Sequence, residues 1–337
     1  MFLRFRRFFV KKLTVKEIAK MAGVSVTAVS FVLNDRPGVS EATREKVQKI
    51  IKETGFRPNL SSKKLVKGKS YNICLMISDS VSPFDDLFYY EITKGILEAS
   101  RRCDYNIVIS RASKNGVDLP DVVYSGDVDG IVYLQNISDA LLKKTIEKEV
   151  PFVVVDSHLG NPKTTSITPD YMSATEIAAN YLFEKGHKRV AMLTTDAVPD
   201  FCTATCAGFK KAVEKAGIKA EFENTKVRDE AGAYAAAKAL LALPERPSAL
   251  LCTVDIFAVG AMRCAKDMGI SVPRELSVIG IDDILLSRYI EPPLTTVGID
   301  KVKMGELAME MLLKKINGEK VDSILLPMTL VERETVR

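Results

Sequence analysis

The chain has 337 residues, 47% apolar and 27% charged, with a net charge of +5. That length supports two or three domains with sizeable cores, and no apolar run approaches the roughly 18 residues a membrane span needs. Six cysteines (74, 103, 202, 206, 252, 264) form no C-x-x-C pair and the two histidines, His158 and His187, are isolated, which excludes a familiar structural zinc pattern. Reduced thiols and no export signal together imply the cytoplasm. Residues 1–70 hold 17 Lys+Arg against 5 Asp+Glu, a net of +12, while the remainder carries −7. A basic front end on an acidic body suggests contact with a polyanion.

The N-terminal "MFLRFRRFFVKK" is too short in its apolar run for a signal sequence and no small-residue cleavage site follows. Residues 1–13 read as a disordered basic arm, or as translation from a wrongly chosen start. Thr14-Val15-Lys16-Glu17 has the form of a capping box and opens a helix with Val15, Ile18, Ala19 and Ala22 on one face. Gly23 closes it, and Ser25 is placed to cap a second helix in which Val29, Val32 and Leu33 form the apolar stripe. Thr27, Ser30, Phe31 and Asn34 then fall on the opposite face, small and polar apart from one ring. Ser40 caps a third helix lined by Val47, Ile50, Ile51 and Thr54, with Gly55 as the stop. Three short helices with a glycine turn between the first two form the helix-turn-helix arrangement, which lays its second helix in the DNA major groove. Pro58 interrupts, and Asn59–Val66 is too short to hold a helix alone in water; residues 59–70 are therefore either a segment that folds on binding or a plain linker.

From Tyr71 onward β-rich runs alternate with helical stretches. The strands are "YNICLMIS", "YNIVIS", "GIVYL" and "PFVVVD" in one half, "RVAMLT", "ALLCTV" and "LSVIGIDD" in the other. Helices at 85–102, 171–185, 205–216, 229–243 and 255–268 fall between them. Such alternation implies parallel, doubly wound sheets in two similar subdomains. Ligands in such folds sit beyond the carboxyl ends of strands, here Ser78, Asp79, Asp156, Thr194, Asp255, Asp282 and Asp283. Several of these would equally serve as helix N-caps.

"VKEIAKMAGVSVTAVSFVLN", "VSEATREKVQKIIKETGFRPN" and "KKLVKG" resemble the headpiece and hinge of the LacI/GalR, or lactose-repressor, family. The likeness runs on through "VDGIVYL", "EKGHKRVAML", "ISVPRELSVIGIDD", "PPLTTVGID" and "LPMTLVERETV". It implies a helix-turn-helix domain at 14–58, a hinge at 59–70 and a periplasmic-binding-protein-like core at 71–337. That core would be two Rossmann-like subdomains, with the chain crossing between lobes near 160, 290 and 320. By matching position, Ser25, Ser30, Asn34 and Asn59 would hold phosphates, and Val26, Thr27 and Phe31 would face base edges. Ser62 would sit in the minor-groove hinge where the family commonly has alanine, and Leu65 would be the wedge. The family usually has arginine at the position of Phe31, read against guanine.

The resemblance places Ser82, Phe84, Asp156, Thr205, Val227, Val254 and Asp282 around an effector cleft. Three of these depart from sugar- and purine-binding members: Thr205 replaces an arginine, Val254 an asparagine and Val227 an aromatic ring. The implied protein is a homodimeric regulator of transcription, a repressor, acting on a pseudo-palindromic operator under control of a small molecule. A protein co-regulator, or none, is the alternative the lost contacts leave open. A solute-binding protein would not need the headpiece. An enzyme would need a motif, and no G-x-G-x-x-G, P-loop, G-x-S-x-G or H-E-x-x-H occurs. No catalytic residue, metal or cofactor is expected. Cys202 and Cys206, one helical turn apart, are either a redox or soft-metal pair or two small buried residues. The stretch from Ser110 to Val128 looks short enough to have lost one helix.

Overall fold

The computed structural model describes residues 13–33, 35–56, 68–77, 83–112, 117–135, 137–156, 163–225 and 229–337. It divides into two compact units, Met1–Tyr71 and Asn72–Arg337.

In the first unit, α1 (Val15–Ala22) starts on the full capping box. The Thr14 side chain accepts from the Glu17 N–H, and the Glu17 carboxylate accepts from the Thr14 N–H at 2.7 Å. Gly23 leaves the helix in the left-handed region (φ 62°) and donates back to Ala19 and Lys20, a conformation that costs an L side chain about 1–2 kcal/mol. Ser25 Oγ accepts from the Ala28 N–H at 3.1 Å and so caps α2 (Val26–Leu33). Ser40 caps α3 (Glu41–Thr54), which Gly55 ends. Ile18, Ala19, Ala22, Val29, Val32, Val47 and Phe56 form the small core these helices share.

The second unit is two lobes, each built on a six-stranded sheet. Lobe 1 contains β1 (Asn72–Ile77), α4 (Leu87–Arg102), β2 (Asn106–Arg111), α5 (Asp121–Tyr124), β3 (Gly130–Leu134), α6 (Asp139–Glu147), β4 (Phe152–Val155) and β5 (Ser166–Pro169). Lobe 2 contains α7 (Tyr171–Glu184), β6 (Arg189–Thr195), α8 (Pro199–Ala216), β7 (Lys219–Thr225), α9 (Glu230–Leu241), β8 (Ala249–Cys252), α10 (Asp255–Asp267), β9 (Ser277–Asp282) and, after a 3-10 turn at Leu285–Arg288, β10 (Thr295–Gly298). The chain then returns to lobe 1 for α11 (Lys301–Ile316) and β11 (Ile324–Leu326), and ends in lobe 2 with β12 (Thr329–Val331). The strand orders are β11-β5-β4-β3-β1-β2 and β12-β10-β9-β8-β6-β7, parallel throughout except β12 against β10.

The strands of lobe 1 alternate between two covered faces. Ile73, Leu75 and Ile77 face one core together with α4 and α11, and Cys74 and Met76 face the other. Burial on both faces is what makes these strands read as continuous apolar runs. Helices α4 and α11 approach so closely that a Cβ on Gly95 would stand 2.0 Å from the Val302 carbonyl oxygen, and one on Gly305 would stand 2.1 Å from that of Ile92. Backbone meets backbone there, so neither glycine can gain a side chain without the helices separating.

Two expectations are corrected. The crossings lie at Asp170, between β10 and α11, and between β11 and β12, rather than near 160, 290 and 320. Each lobe keeps the chain one strand longer than the apolar runs announce, because β5 extends the first sheet after β4 and β10 extends the second after β9. Helix α8 begins at Pro199, not 205, with the proline in the first turn, where its missing N–H costs nothing. Between β2 and β3 the helical element among the described residues is the single turn α5.

Candidate DNA-binding face and interlobe cleft

The outward face of α2 presents Ser25, Val26 and Thr27 to solvent, with Val26 45% exposed. Ser30 is half-buried. Phe31 is half-buried as well, because its ring folds onto Gly38 in the connection between α2 and α3. A Cβ on Gly38 would stand 2.9 Å from Phe31 Cε2, and Gly38 takes φ +115°. The connection is held by Arg44 of α3. Its guanidinium pairs with Asp35 at 2.7 Å and donates to the Arg36 carbonyl at 2.9 Å, while the Arg36 N–H donates to the Phe31 carbonyl at 2.8 Å. Sequence reasoning named neither Gly38 nor Arg44. The Asp-Arg-Pro-Gly turn at 35–38 was the available signal, since a proline-glycine pair marks a tight bend. Asn34, Asn59, Ser62 and Leu65 lie outside the described residues.

Of the residues that the resemblance assigns to the effector cleft, Asp156, Val254 and Asp282 stand at the carboxyl ends of β4, β8 and β9. Asp156, just past β4, is fully buried with φ 59°. Its carboxylate accepts from Tyr89 of α4 at 2.5 Å and from Tyr171 of α7 at 3.0 Å, so one acidic group joins the two lobes at the first crossing. Phe201 of α8 meets Tyr171 edge-on at 4.9 Å. Neither tyrosine was anticipated, because their pairing with Asp156 is not expressed in any local spacing.

On the lobe 2 side, Thr194, Thr205 and Thr253 are fully buried. Thr205 Oγ1 donates to the Phe201 carbonyl at 2.9 Å and lies 3.4 Å from Thr194 Oγ1. The position where the resemblance expects a charged fork is thus an inward-turned hydroxyl. Val254 is also buried and precedes α10 without a side-chain cap. Phe84 projects, 74% exposed. Ser82 and Val227, and the strand-end residues Ser78 and Asp79, lie outside the described residues.

Asp255 is not an N-cap. It is fully buried and accepts three hydrogen bonds, from the Ile284 N–H (2.9 Å), Ser287 Oγ (2.6 Å) and Thr296 Oγ1 (2.6 Å). It therefore fastens α10 to the 3-10 turn and to β10. Burial pushes its pKa up to about 6 in spite of those bonds and of the Lys301 charge, which act in the opposite direction. Asp282 is buried with φ 117°. Its carbonyl and that of Asp283 each accept from Lys301 Nζ at 2.7 Å, and the same ammonium lies 3.3 Å from Glu91 of α4. Asp283 pairs with Arg333 and, at 3.1 Å, with Arg288. Cys202 and Cys206 have their sulfurs 3.9 Å apart, both half-buried, and burial raises the Cys206 thiol to about 11. Among the described residues no group of three or more His, Cys, Asp or Glu side chains is placed to hold a metal ion, and no helix is long and apolar enough to cross a membrane.

A helix-turn-helix unit joined to a two-lobed α/β core defines a DNA-binding regulator of transcription. Residues 14–59 match the bacterial regulatory proteins of the lacI family, and residues 179–336 match the periplasmic binding protein-like domain. The chain is 30% identical to the HTH-type transcriptional repressor PurR of Vibrio atlanticus over 334 residues, covering 96% of this chain and 98% of that one. It is also 30% identical to catabolite control protein A of Priestia megaterium, covering 96% and 99%. A solved Lac repressor dimer bound to operator and the anti-inducer ONPF superposes with a TM-score of 0.82 at 26% identity, covering 96% and 99% of the two chains. A complex of the regulator CelR with cellobiose gives 0.70 at 26%, covering 96% and 99%. The chain belongs to the LacI family.

Proposed function

We propose that this protein is a cytoplasmic repressor that binds a pseudo-palindromic operator as a homodimer, without catalytic activity and without a metal or cofactor. The observation that carries the reading is the α2 face, where a capped helix offers Ser25, Val26 and Thr27 to solvent on a strongly basic front end. Ser25, Ser30, Asn34 and Asn59 hold phosphates and set register, Val26, Thr27 and Phe31 meet base edges, and Ser62 and Leu65 enter the minor groove at the operator centre. A two-fold dimer reads two-fold DNA. The Lac repressor dimer that this chain resembles is bound to operator, which supports the same mode here.

Affinity is controlled from the interlobe cleft, where Ser82, Phe84, Asp156, Thr205, Val227, Val254 and Asp282 surround a small effector. One observation favours a second reading, control by a protein co-regulator. Thr205 and Val254 are sealed from solvent and offer no charged or amide group to a sugar. Selection of bound sites from random duplex DNA at a stated salt concentration tests the DNA reading. A palindrome of roughly 14–20 base pairs with a deformable central step is expected, and retention without any motif refutes it.

A further inference from the structure

Lobe 2 carries a cavity at the amino ends of its strands. Its volume is about 600 Å³ and its walls are Lys185, Gly186, His187, Lys188, Arg189, Ser248 and Arg337. Arg189 opens β6 and Ser248 immediately precedes β8, whereas the cleft lies beyond the far ends of these strands. The seven residues of β6 separate the two places by roughly 20 Å.

Four cationic side chains line the cavity and no acidic side chain does, the α-carboxylate of Arg337 being the negative group on a lining residue. Around it, Arg189 meets Glu245 at 3.5 Å, Arg246 meets Glu275 at 3.2 Å, and Lys185 lies over the Tyr181 ring at 5.1 Å. Lys188 and Arg337 have no ion pair among the described residues. His187 sits among them, 5% exposed. Its Nδ1 is 2.9 Å from Ser248 Oγ. The Ser248 hydroxyl donates to the Arg189 carbonyl at 3.2 Å, and that carbonyl also accepts from the Ser248 N–H at 2.9 Å, so the hydroxyl oxygen faces Nδ1 as an acceptor. The neutral ring then carries its proton on Nδ1, and Nε2 is buried with no hydrogen-bond partner among the described residues. A buried polar atom without a partner costs about 1–3 kcal/mol; protonation turns Nε2 into a donor, and an acceptor of negative charge satisfies both that N–H and the surrounding cations.

We propose that this cavity is a binding site for a phosphate-class oxyanion, with His187 Nε2–H, Lys188 and Arg337 as its donors. The cavity is thus a second ligand site, separate from the effector cleft and independent of how the cleft is controlled. Burial and the Arg337 charge both lower the His187 pKa. A bound anion opposes them, because the ring takes its second proton on Nε2 and donates it to the anion, while the Nδ1–H bond to Ser248 Oγ is kept. Anion binding is therefore coupled to proton uptake and tightens as pH falls.

The test uses the full chain with pyrophosphate as probe. His187 is one of only two histidines, so its ring C–H signals are followed by NMR across pH, with His158 as internal reference. Pyrophosphate should raise the His187 midpoint by about one pH unit, saturably, and leave His158 unmoved. Lys188→Gln with Arg337→Gln should weaken the effect at least fivefold in a chain whose circular dichroism is unchanged. An equal shift from sodium chloride at matched ionic strength, or an unweakened effect in the double variant, overturns the assignment. So does a shift produced by duplex DNA and not by pyrophosphate, which would make this face a nucleic-acid contact.

Discussion

Replacing Phe31 by arginine should change which operator the protein prefers while leaving its fold in place. The ring is half-buried on Gly38 and is absent from the core formed by Ile18, Val29, Val32 and Val47. Full burial of a phenylalanine contributes about 1.5–3 kcal/mol. Losing a partial contact, with the arginine stem covering some of the same surface, costs about 1 kcal/mol or less. The gain is a bidentate donor where the wild-type side chain has none. A good arginine–guanine pair discriminates by about 1–3 kcal/mol, which is about 5- to 150-fold in relative affinity. Parallel selections from random duplexes at one salt concentration, for wild type, Phe31→Arg and Phe31→Ala, read this directly. Guanine should be enriched at one symmetric pair of positions with arginine only. Identical motifs for wild type and Phe31→Arg would show that the ring faces no base, and the assignment of Phe31 to readout would be refuted.

Gly38→Ala should destabilise the headpiece by about 1–3 kcal/mol, because it combines φ +115° with a Cβ 2.9 Å from the Phe31 ring; an unchanged thermal melt would mean the ring is not seated there. Asp255→Ala strands three buried donors and should cost the core about 3–6 kcal/mol in urea unfolding, whereas Asp255→Asn keeps an acceptor for Ile284 and Ser287 and should cost about 1 kcal/mol. The folded chain holds the Asp255 proton to about pH 6, against 3.8 for the ordinary group. The folded state therefore binds more protons between these values, and this group's contribution to stability falls by about 3 kcal/mol as pH rises from about 4 to 6. Asp255→Asn should remove that slope, and a slope retained in the variant would assign it to another group. Gly305→Ala, whose Cβ would stand 2.1 Å from the Ile92 carbonyl oxygen, should lower the core's melting temperature far more than an alanine on the exposed face of α11.

How much of this was legible depends on whether the determining interaction is local. The capping box at Thr14, the glycine stops at 23 and 55 and the serine caps at 25 and 40 are all decided within four residues, and each stands in the structure as read. The central strands β3, β4 and β8 are legible because they are buried throughout and carry no charged residue. Strand β7, with the sequence KAEFENT, lies at one edge of its sheet next to β6 alone, so no apolar run announces it. Strand β5, SITP, is only four residues long and ends on proline. Asp255 looks like an N-cap in sequence because it opens α10, yet its partners lie 29 to 41 residues away. The ring of Phe31 was assigned to the polar face of α2 correctly as regards the helix, but its seat on Gly38 comes from a turn whose path the periodicity of α2 does not determine.

The same distinction explains the construction of the cleft. Its polar residues are used first to join the lobes: Asp156 takes Tyr171 at one crossing, and Lys301 takes the carbonyls of Asp282 and Asp283 beside the second. Glu91 of α4 faces the same ammonium, so lobe 1 contacts the point where the chain leaves β9. A ligand shifts a two-state equilibrium only by its differential affinity for the two states. A ligand that engaged Asp156 would draw part of that difference from exchanging interlobe bonds, because this carboxylate already has two phenol donors within hydrogen-bond distance. An effector that offers hydroxyls to Asp156 competes with Tyr89 and Tyr171, and releasing Tyr171 loosens the first crossing. A partner that leaves the cleft untouched preserves those bonds and must act through the outer surface of a lobe. The two modes of control therefore differ in what happens to Tyr171. In either mode the coupling is reciprocal: operator DNA changes the affinity for effector or co-regulator by the same factor that these change the affinity for DNA.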